Sequence, residues 1–506
     1  MIRLYTVVFL SGAALMGLEI VGSRVMAPVF GTSIFVWGAL ITTFLASLSA
    51  GYALGGKLAD RRPSPALLGS ILIAAGLLLW LLLARPAPLL ALCAAAPVPD
   101  RFRALLAAIL LFALPSVLMG TISPFATRLA AREVGTIGRT AGTLAAISTS
   151  GSIVGTFAMA FILIPAFPIE PILFGLGAVL VLSGALAARQ GLAVRLAVAA
   201  GGLVAAAAVF LVRPERVVAP TADGVVVLRK ETAYHRLLVV DQGMNRRVLY
   251  FDHLSQGSID RTTGAAPPNQ YTDGLAAALL WRRSPARNAF VIGLGTGMLP
   301  RLFSEKTPDV ATTSVEIDPE VVRVAGQYFD FRTDANDRVV VGDGRSVLER
   351  EKGPWDAIFF DAYFSESVPF HLTTLEFFQL CRDRLSPDGV FAANIVGTMM
   401  GRDQRLFWAI VRTAQEVFPN VVILSHELAS GAQKFHGNAI LVATPSPDRL
   451  SKDRVFAEGD RLAAAMGHPP IARWARAYYE GEIRTADVPI LTDSYSPTDA
   501  LQHLGR

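Results

Sequence analysis

The run Ala289-Phe290-Val291-Ile292-Gly293-Leu294-Gly295-Thr296-Gly297 is an apolar strand that breaks into a glycine-rich turn. A helix-like stretch follows, and a second strand, Ala311 to Val315, ends on Glu316-Ile317-Asp318. Gly293, Gly295 and Gly297 let the backbone approach a ligand closely. An acid at the end of the next strand can grip both hydroxyls of a ribose. The pattern predicts a bound adenosine-containing molecule. Later strands end in the same way: Arg338 to Val341 runs into Gly342-Asp343-Gly344, and Ala357-Ile358-Phe359-Phe360 runs into Asp361. Gly389 to Val396 and Gly437 to Ala443 read as further strands. Strands alternating with helical patterns predict a mostly parallel sheet with helices on both faces. The chemistry of such sheets gathers at the carboxyl ends of the strands. Glu316 suits the ribose diol, Asp343 the adenine amino group, and Asp361 stands where a reacting centre would lie.

Upstream, residues 223–260 alternate in strand fashion, as in Val225-Val226-Val227-Leu228, Leu237-Leu238-Val239-Val240 and Arg247-Val248-Leu249-Tyr250-Phe251. They predict a small antiparallel subdomain placed before the nucleotide fold. Further upstream the composition changes sharply. Before residue 213 the only acids are Glu19, Asp60, Asp100, Glu133 and Glu170, whereas charge is ordinary after it. The net charge of +5 comes with no Lys/Arg stripe interleaved with aromatics, which argues against nucleic acid as a partner. Cys93 and Cys381 are the two cysteines; they make neither a disulfide framework nor a zinc site, and no metal is expected.

Apolar stretches near 4–23, 34–56, 66–84, 103–122, 140–164, 169–188 and 192–212 are each long enough to cross a bilayer as a helix. Residues 86–98 are apolar but short, and read as a half-helix or a tilted eighth span. Lys57, Arg61 and Arg62 follow the second span, and Arg128, Arg132 and Arg139 follow the fourth. The positive-inside rule puts both groups in the cytoplasm, which with seven spans would export the second half. A nucleoside made in the cytoplasm argues the other way, and that argument is preferred. Gly51-Tyr52-Ala53-Leu54-Gly55 and Gly151-Ser152-Ile153-Val154-Gly155 are spacings that permit close helix contact. Gly55-Gly56-Lys57-Leu58-Ala59-Asp60-Arg61 resembles a loop of major-facilitator transporters. Glu19 lies inside the first span and needs a partner, for which Arg24 is the candidate; the alternative is that it attracts a cationic substrate.

Residues 223–444 resemble the spermidine synthases, aminopropyltransferases built on a methyltransferase-type nucleotide fold. The whole chain is similar to bacterial spermidine synthase-like proteins that carry an N-terminal membrane domain. The family's Leu-Asp-Gly-x-x-Gln segment is matched by Phe251-Asp252-His253-Leu254-Ser255-Gln256, so the resemblance puts Gln256 in the active site. The family's tyrosine two residues before an acid is matched by Tyr271 and Asp273, at the mouth of the cleft. Its ribose, adenine and catalytic-loop acids fall on Glu316, Asp343 and Asp361. Two family acids are missing. Thr296 replaces the one that holds the aminopropyl ammonium, and Phe364 replaces the second acid of the catalytic loop. Glu366 and Asp273 are the acids available to take their place. The segments Asp361-Ala362-Tyr363-Phe364-Ser365-Glu366 and His371-Leu372-Thr373-Thr374 are closer to the membrane-fused relatives than to soluble synthases, and Leu491-Thr492-Asp493 is another feature of those relatives, without a firm role.

The chain is therefore read as an α-helical transmembrane bundle of seven or eight spans (1–212), then a small antiparallel β-subdomain and linker (213–275). A soluble, Rossmann-type α/β domain (276–506) completes it. The expected chemistry is substitution at a carbon bonded to a sulfonium, with S-adenosylmethionine or its decarboxylated form as donor and a small amine or polyamine as acceptor. Asp361 orients the amine and takes its proton. Gln256, Gly293, Gly295, Thr296, Gly297, Glu316, Asp343 and Gly344 surround the donor. Tyr271, Asp273, Tyr363, Phe364 and Glu366 face the acceptor, the aromatic rings packing on its cation. Aminopropyl transfer is the leading reading. The alternatives are methyl transfer and a non-enzymatic polyamine sensor or transporter. The expected location is the bacterial inner membrane, with the soluble half facing the cytoplasm; homo-oligomerisation is left open.

Overall fold

In a computed structural model the chain is described at residues 1–31, 33–83, 86–131, 136–188, 224–267, 270–333, 336–363, 368–400, 404–430, 435–498 and 501. It divides into two compact units, Met1–Val217 with Lys230–Ala233, and Val218–Arg229 with Tyr234–Arg506.

Among the described residues the first unit holds six helices long and apolar enough to cross a membrane: Ile2–Ala27, Ile34–Arg61, Pro65–Leu82, Phe102–Ala130, Ile137–Leu163 and Ile169–Ala187. The expected stretch 192–212 lies outside the described residues. Residues 86–98 contain only the short helix Pro86–Ala94, well below the roughly 20 residues that a crossing needs. Two of the long helices widen into a π-helical turn, at Ile109–Ala113 and at Met159–Leu163. Each turn stands just before a Leu-Pro or Ile-Pro pair, at Pro115 and Pro165. Proline has no N–H to give and its ring crowds the carbonyl four residues back. At Pro115 the wider turn absorbs both defects and the helix runs on to Gly120, whereas past Pro165 it runs only to Ala166.

The small-residue spacings are contact surfaces. A Cβ on Gly151 would stand 2.0 Å from the Phe9 carbonyl oxygen, and one on Gly155 2.2 Å from that of Ala13. Gly51 and Gly55 meet the backbone of Val117 and Thr121 in the same way. Backbones this close leave no room for a side chain. Gly151→Val should therefore lower the stability of this unit by about 1–3 kcal/mol or more through overpacking. Gly142→Ala, where a Cβ meets nothing within 4 Å, should be neutral or mildly stabilising. Thermal unfolding of the two variants side by side checks this.

Among the described residues the second unit contains two sheets. A four-stranded sheet runs in the order β1 (Gly224–Glu231), β2 (Arg236–Gln242), β3 (Arg246–Phe251) and β4 (Leu254–Asp260). Its apolar face, including Leu237, Val239, Leu249 and Ile259, packs on Val321, Val324 and Phe329 of the next domain. The larger sheet has β5 (Asn288–Ile292), β6 (Ala311–Glu316), β7 (Asp337–Val341), β8 (Trp355–Phe360), β9 (Leu385–Met400), β10 (Asn420–Leu424) and β11 (Phe435–Thr444). Its seven strands lie in the order β10-β11-β9-β8-β5-β6-β7. The strands from β9 to β7 are parallel, and β11 runs antiparallel between β9 and β10. This is the methyltransferase-type arrangement of a Rossmann-like sheet. Strand order reverses between β5 and β8, and a crevice opens there, beyond their carboxyl ends. The amino ends are tied by Arg282. Its buried guanidinium meets the Asp356 carboxylate at 2.8 Å and donates to the Asp356 and Asp388 carbonyls, each at 2.8 Å.

Candidate active site

An open cleft lies at that reversal. Its floor is the turn after β5. Gly293 has φ +94°, and a Cβ there would stand 2.1 Å from the Asp361 carbonyl oxygen. No other residue fits both conditions. Gly293, Gly295 and Gly344 line the cleft. Gly297, with φ +77°, packs against Phe331 and starts the following helix instead. Thr296 is buried, and its hydroxyl fills the space beside Gly257 of β4. The structure places Thr296 outside the residues that line the cleft.

Glu316, at the end of β6, is buried on the cleft wall. One carboxylate oxygen accepts the Leu294 N–H at 3.1 Å and the other the Asp318 N–H at 3.0 Å. Burial pushes its pKa up, and the backbone donors oppose that push. Each oxygen keeps lone-pair capacity for a ribose hydroxyl. Asp343 caps the helix Gly344–Arg350 by accepting the Ser346 N–H at 2.9 Å. Its second oxygen pairs with His371 Nε2 at 2.9 Å. That pairing, helped by the cap, holds its carboxyl well below the usual range. Asp343 thus reaches the cleft already oriented by two partners.

Asp361 follows β8, its N–H bonded to the Ile292 carbonyl at 2.8 Å. Burial raises its pKa to about 6, while hydrogen bonds from Asn394 and Tyr271 hold it down. Asn394 Nδ2 donates to Asp361 at 2.8 Å, and Asn438 Nδ2 donates to Asn394 Oδ1 at 3.0 Å. The second bond fixes the Asn394 amide with its NH2 facing Asp361. The Tyr271 hydroxyl lies between Asp361 and the Gln256 carbonyl, 3.2 Å from the latter. Its pKa is raised, first by burial and then by Asp361, so it stays a neutral donor. Tyr363 lends its ring to the cleft but not its hydroxyl, which donates to the Asn394 carbonyl at 2.5 Å and accepts the Val396 N–H at 2.7 Å. Gln256 lines the wall supplied by β4, its amide turned to the Leu254 carbonyl at 3.2 Å.

Three residues were not expected. His235, from β2's approach, lies flat on Phe251 with centroids 4.4 Å apart, and both rings line the cleft. His371 lines it too. Asn394 sits in the middle of apolar β9, and a lone amide in such a strand was the available signal. Asp273, expected to face the substrate, is placed elsewhere among the described residues. Asp273 is buried in a capping box with Gln270, and it pairs with His468 Nε2 at 2.8 Å, away from the cleft lining. Phe364 and Glu366 lie outside the described residues. The described lining carries three carboxylates and no lysine or arginine. Such a wall favours a cationic ligand.

Comparison with known proteins matches residues 270–428 to the spermine/spermidine synthase domain. A polyamine aminopropyltransferase of Vibrio vulnificus is 31% identical over 233 residues, which is 45% of this chain and 73% of that protein. One from Chromobacterium violaceum is 30% identical over 206 residues, 40% of this chain and 74% of its own. A probable polyamine aminopropyl transferase of Bifidobacterium longum is 36% identical over 125 residues, 25% of this chain but only 27% of its own length.

Proposed function

Because the chain belongs to the spermidine synthase family of transferases, we propose that its cleft transfers an aminopropyl group from decarboxylated S-adenosylmethionine to a small amine. The observation that carries this reading is the cleft wall: Glu316, Asp343 and Asp361 converge there with no basic side chain among the described lining residues. A sulfonium and an amine are both attracted to such a wall. The acceptor nitrogen, in its neutral form, attacks the methylene carbon next to sulfur. The carbon–nitrogen bond forms and the carbon–sulfur bond breaks. The electron pair leaves on sulfur, giving neutral methylthioadenosine, and the nitrogen's extra proton passes to Asp361. The leaving group needs no acid, so catalysis consists of alignment and proton removal. Glu316 holds the ribose, Asp343 and Gly344 border the adenine, and Tyr271, Gln256 and Tyr363 shape the acceptor side.

One observation favours a second reading. With Thr296 turned to Gly257, no described side chain replaces the acid that would neutralise a decarboxylated donor's ammonium. Intact S-adenosylmethionine brings its own carboxylate, and the reaction would then be methyl transfer. Mass spectrometry of the nucleoside products, with each donor and a panel of amines, separates the two. Methylthioadenosine marks aminopropyl transfer and S-adenosylhomocysteine marks methyl transfer. Neither product with any amine would remove the catalytic reading.

The proton acceptor sets a pH dependence. Asp361 works ionised, so turnover should rise through a midpoint near pH 6 and level off above it. Tyr271, Tyr363, Glu316, Asp343, His235 and His371 line the same cleft. Asn394→Leu removes a donor that favours the carboxylate, and should move the midpoint upward. Profiles of kcat/KM between about pH 5 and pH 9, which report the ligand-free protein, measure the shift; an unmoved midpoint would detach Asn394 from Asp361.

The six long apolar helices support placing the chain in the bacterial inner membrane, with the second unit on the cytoplasmic side where sulfonium nucleosides are made. Reporter fusions at the C-terminus test this. A periplasmic signal would reverse the orientation.

A further inference from the structure

The wall of the cleft next to Asp343 is made by Pro369, His371 and Leu372. Residues Phe370–Leu372 form a single short 3-10 turn. Such a turn has little hydrogen bonding of its own to fix it. It is held from outside. Arg345, on the helix Gly344–Arg350, donates to the His371 carbonyl at 3.1 Å. The same guanidinium grips both oxygens of Asp493 in a fork, each at 2.7 Å. Asp493 also takes the Thr374 hydroxyl at 2.7 Å, and its own N–H donates to the Glu376 carboxylate at 2.9 Å. Behind it, Leu491 is fully buried, accepts the Leu375 N–H at 2.8 Å and donates to Thr413 Oγ1 at 2.9 Å. Asp493 itself is not part of the cleft lining.

We propose that Asp493 is a positioning residue for nucleoside binding, latching residues 369–374 to the helix that begins at Gly344. The Leu491-Thr492-Asp493 stretch thereby gains a role. It adds a hold from the C-terminus to a wall that the His371–Asp343 pairing also fixes. The pairing is bidentate and charge-assisted, the geometry that most restricts both partners. The proposal rests on the reading of the cleft as a sulfonium-nucleoside site.

The test is calorimetry of methylthioadenosine binding to the full chain, together with steady-state rates. Asp493→Asn keeps the shape but loses the charge-assisted fork. It should raise Kd for methylthioadenosine and KM for the donor by about five- to twentyfold, with kcat at saturation and the pH midpoint unchanged. Arg345→Lys should act in the same direction, because an ammonium cannot form the fork. Thr374→Val removes the hydroxyl that meets Asp493 and also caps the helix Leu375–Arg384, and should show a smaller rise. Hydrogen–deuterium exchange should speed up at Leu372 and Thr373 in these variants without any ligand. Equal Kd and equal exchange in wild type, Asp493→Asn and Thr374→Val would overturn the latch alone. A fall in kcat with Kd unchanged would overturn it in favour of a part in the chemistry. A wild-type chain that bound no methylthioadenosine would overturn the nucleoside reading and the latch with it.

Discussion

Asp361→Asn should lower kcat by about 10²- to 10⁴-fold, the usual worth of a positioned proton acceptor. The asparagine fills the same space, and its carbonyl oxygen can still accept from Asn394. Methylthioadenosine, which carries no charge at sulfur, should bind about as well as before. The same substitution should stabilise the fold. The Asp361 pKa is about 6 in the folded chain against roughly 3.9 in an unfolded one. Its protonated form therefore contributes stability that is fully present below the unfolded value and is lost as pH rises through about 6. At neutral pH the buried carboxylate costs on the order of 2 to 3 kcal/mol, which asparagine removes. A variant that melts higher at pH 7 and turns over far more slowly is the signature of a charge kept for function. Undiminished turnover would take Asp361 out of the mechanism.

Glu316→Gln should weaken binding of methylthioadenosine by about 10²- to 10³-fold. Two effects add. The ribose diol loses a charged acceptor for two hydrogen bonds, each worth roughly 1.5–3 kcal/mol. In addition, one end of the amide must face either the Leu294 or the Asp318 N–H, the two donors the carboxylate now satisfies. An NH2 pointed at an N–H leaves a buried donor without an acceptor. Because the loss is in ground-state binding as well as in the transition state, KM should rise with a smaller change in kcat. Calorimetry reads Kd directly, and a change below about threefold would mean that Glu316 holds only the turn.

The site was legible in the chain wherever a parallel strand supplied it. Gly293, Glu316 and Asp361 each stand at the end of a parallel strand, and the fold forces such termini to one edge of the sheet. The strands of the larger sheet were readable for the same reason, save short β10. What sequence could not give was direction and distance. Thr296 follows a cleft-lining glycine, yet its side chain turns under Gly257, and only the twist of the turn decides that. Asp273 keeps the expected spacing from Tyr271 but is taken by His468, 195 residues later. His235 enters from a different sheet, and Asn394 from the interior of a strand, where no terminus marks it. In the first unit, helix length and small-residue spacing were plain. The two π turns were not, since proline alone announces a defect but not how the helix absorbs it.

The amide pair Asn438–Asn394 reaches Asp361 across three strands, and neither amide ionises. Tyr271, the other donor, stays protonated far above neutrality. The affinity of Asp361 for its proton is thus governed by permanent dipoles and by exclusion of water, not by a neighbouring ion whose charge comes and goes. Its titration should be that of one independent proton, with the steepness of a single site. Added salt, which screens ions at a distance but not buried dipoles, should leave its midpoint where it is.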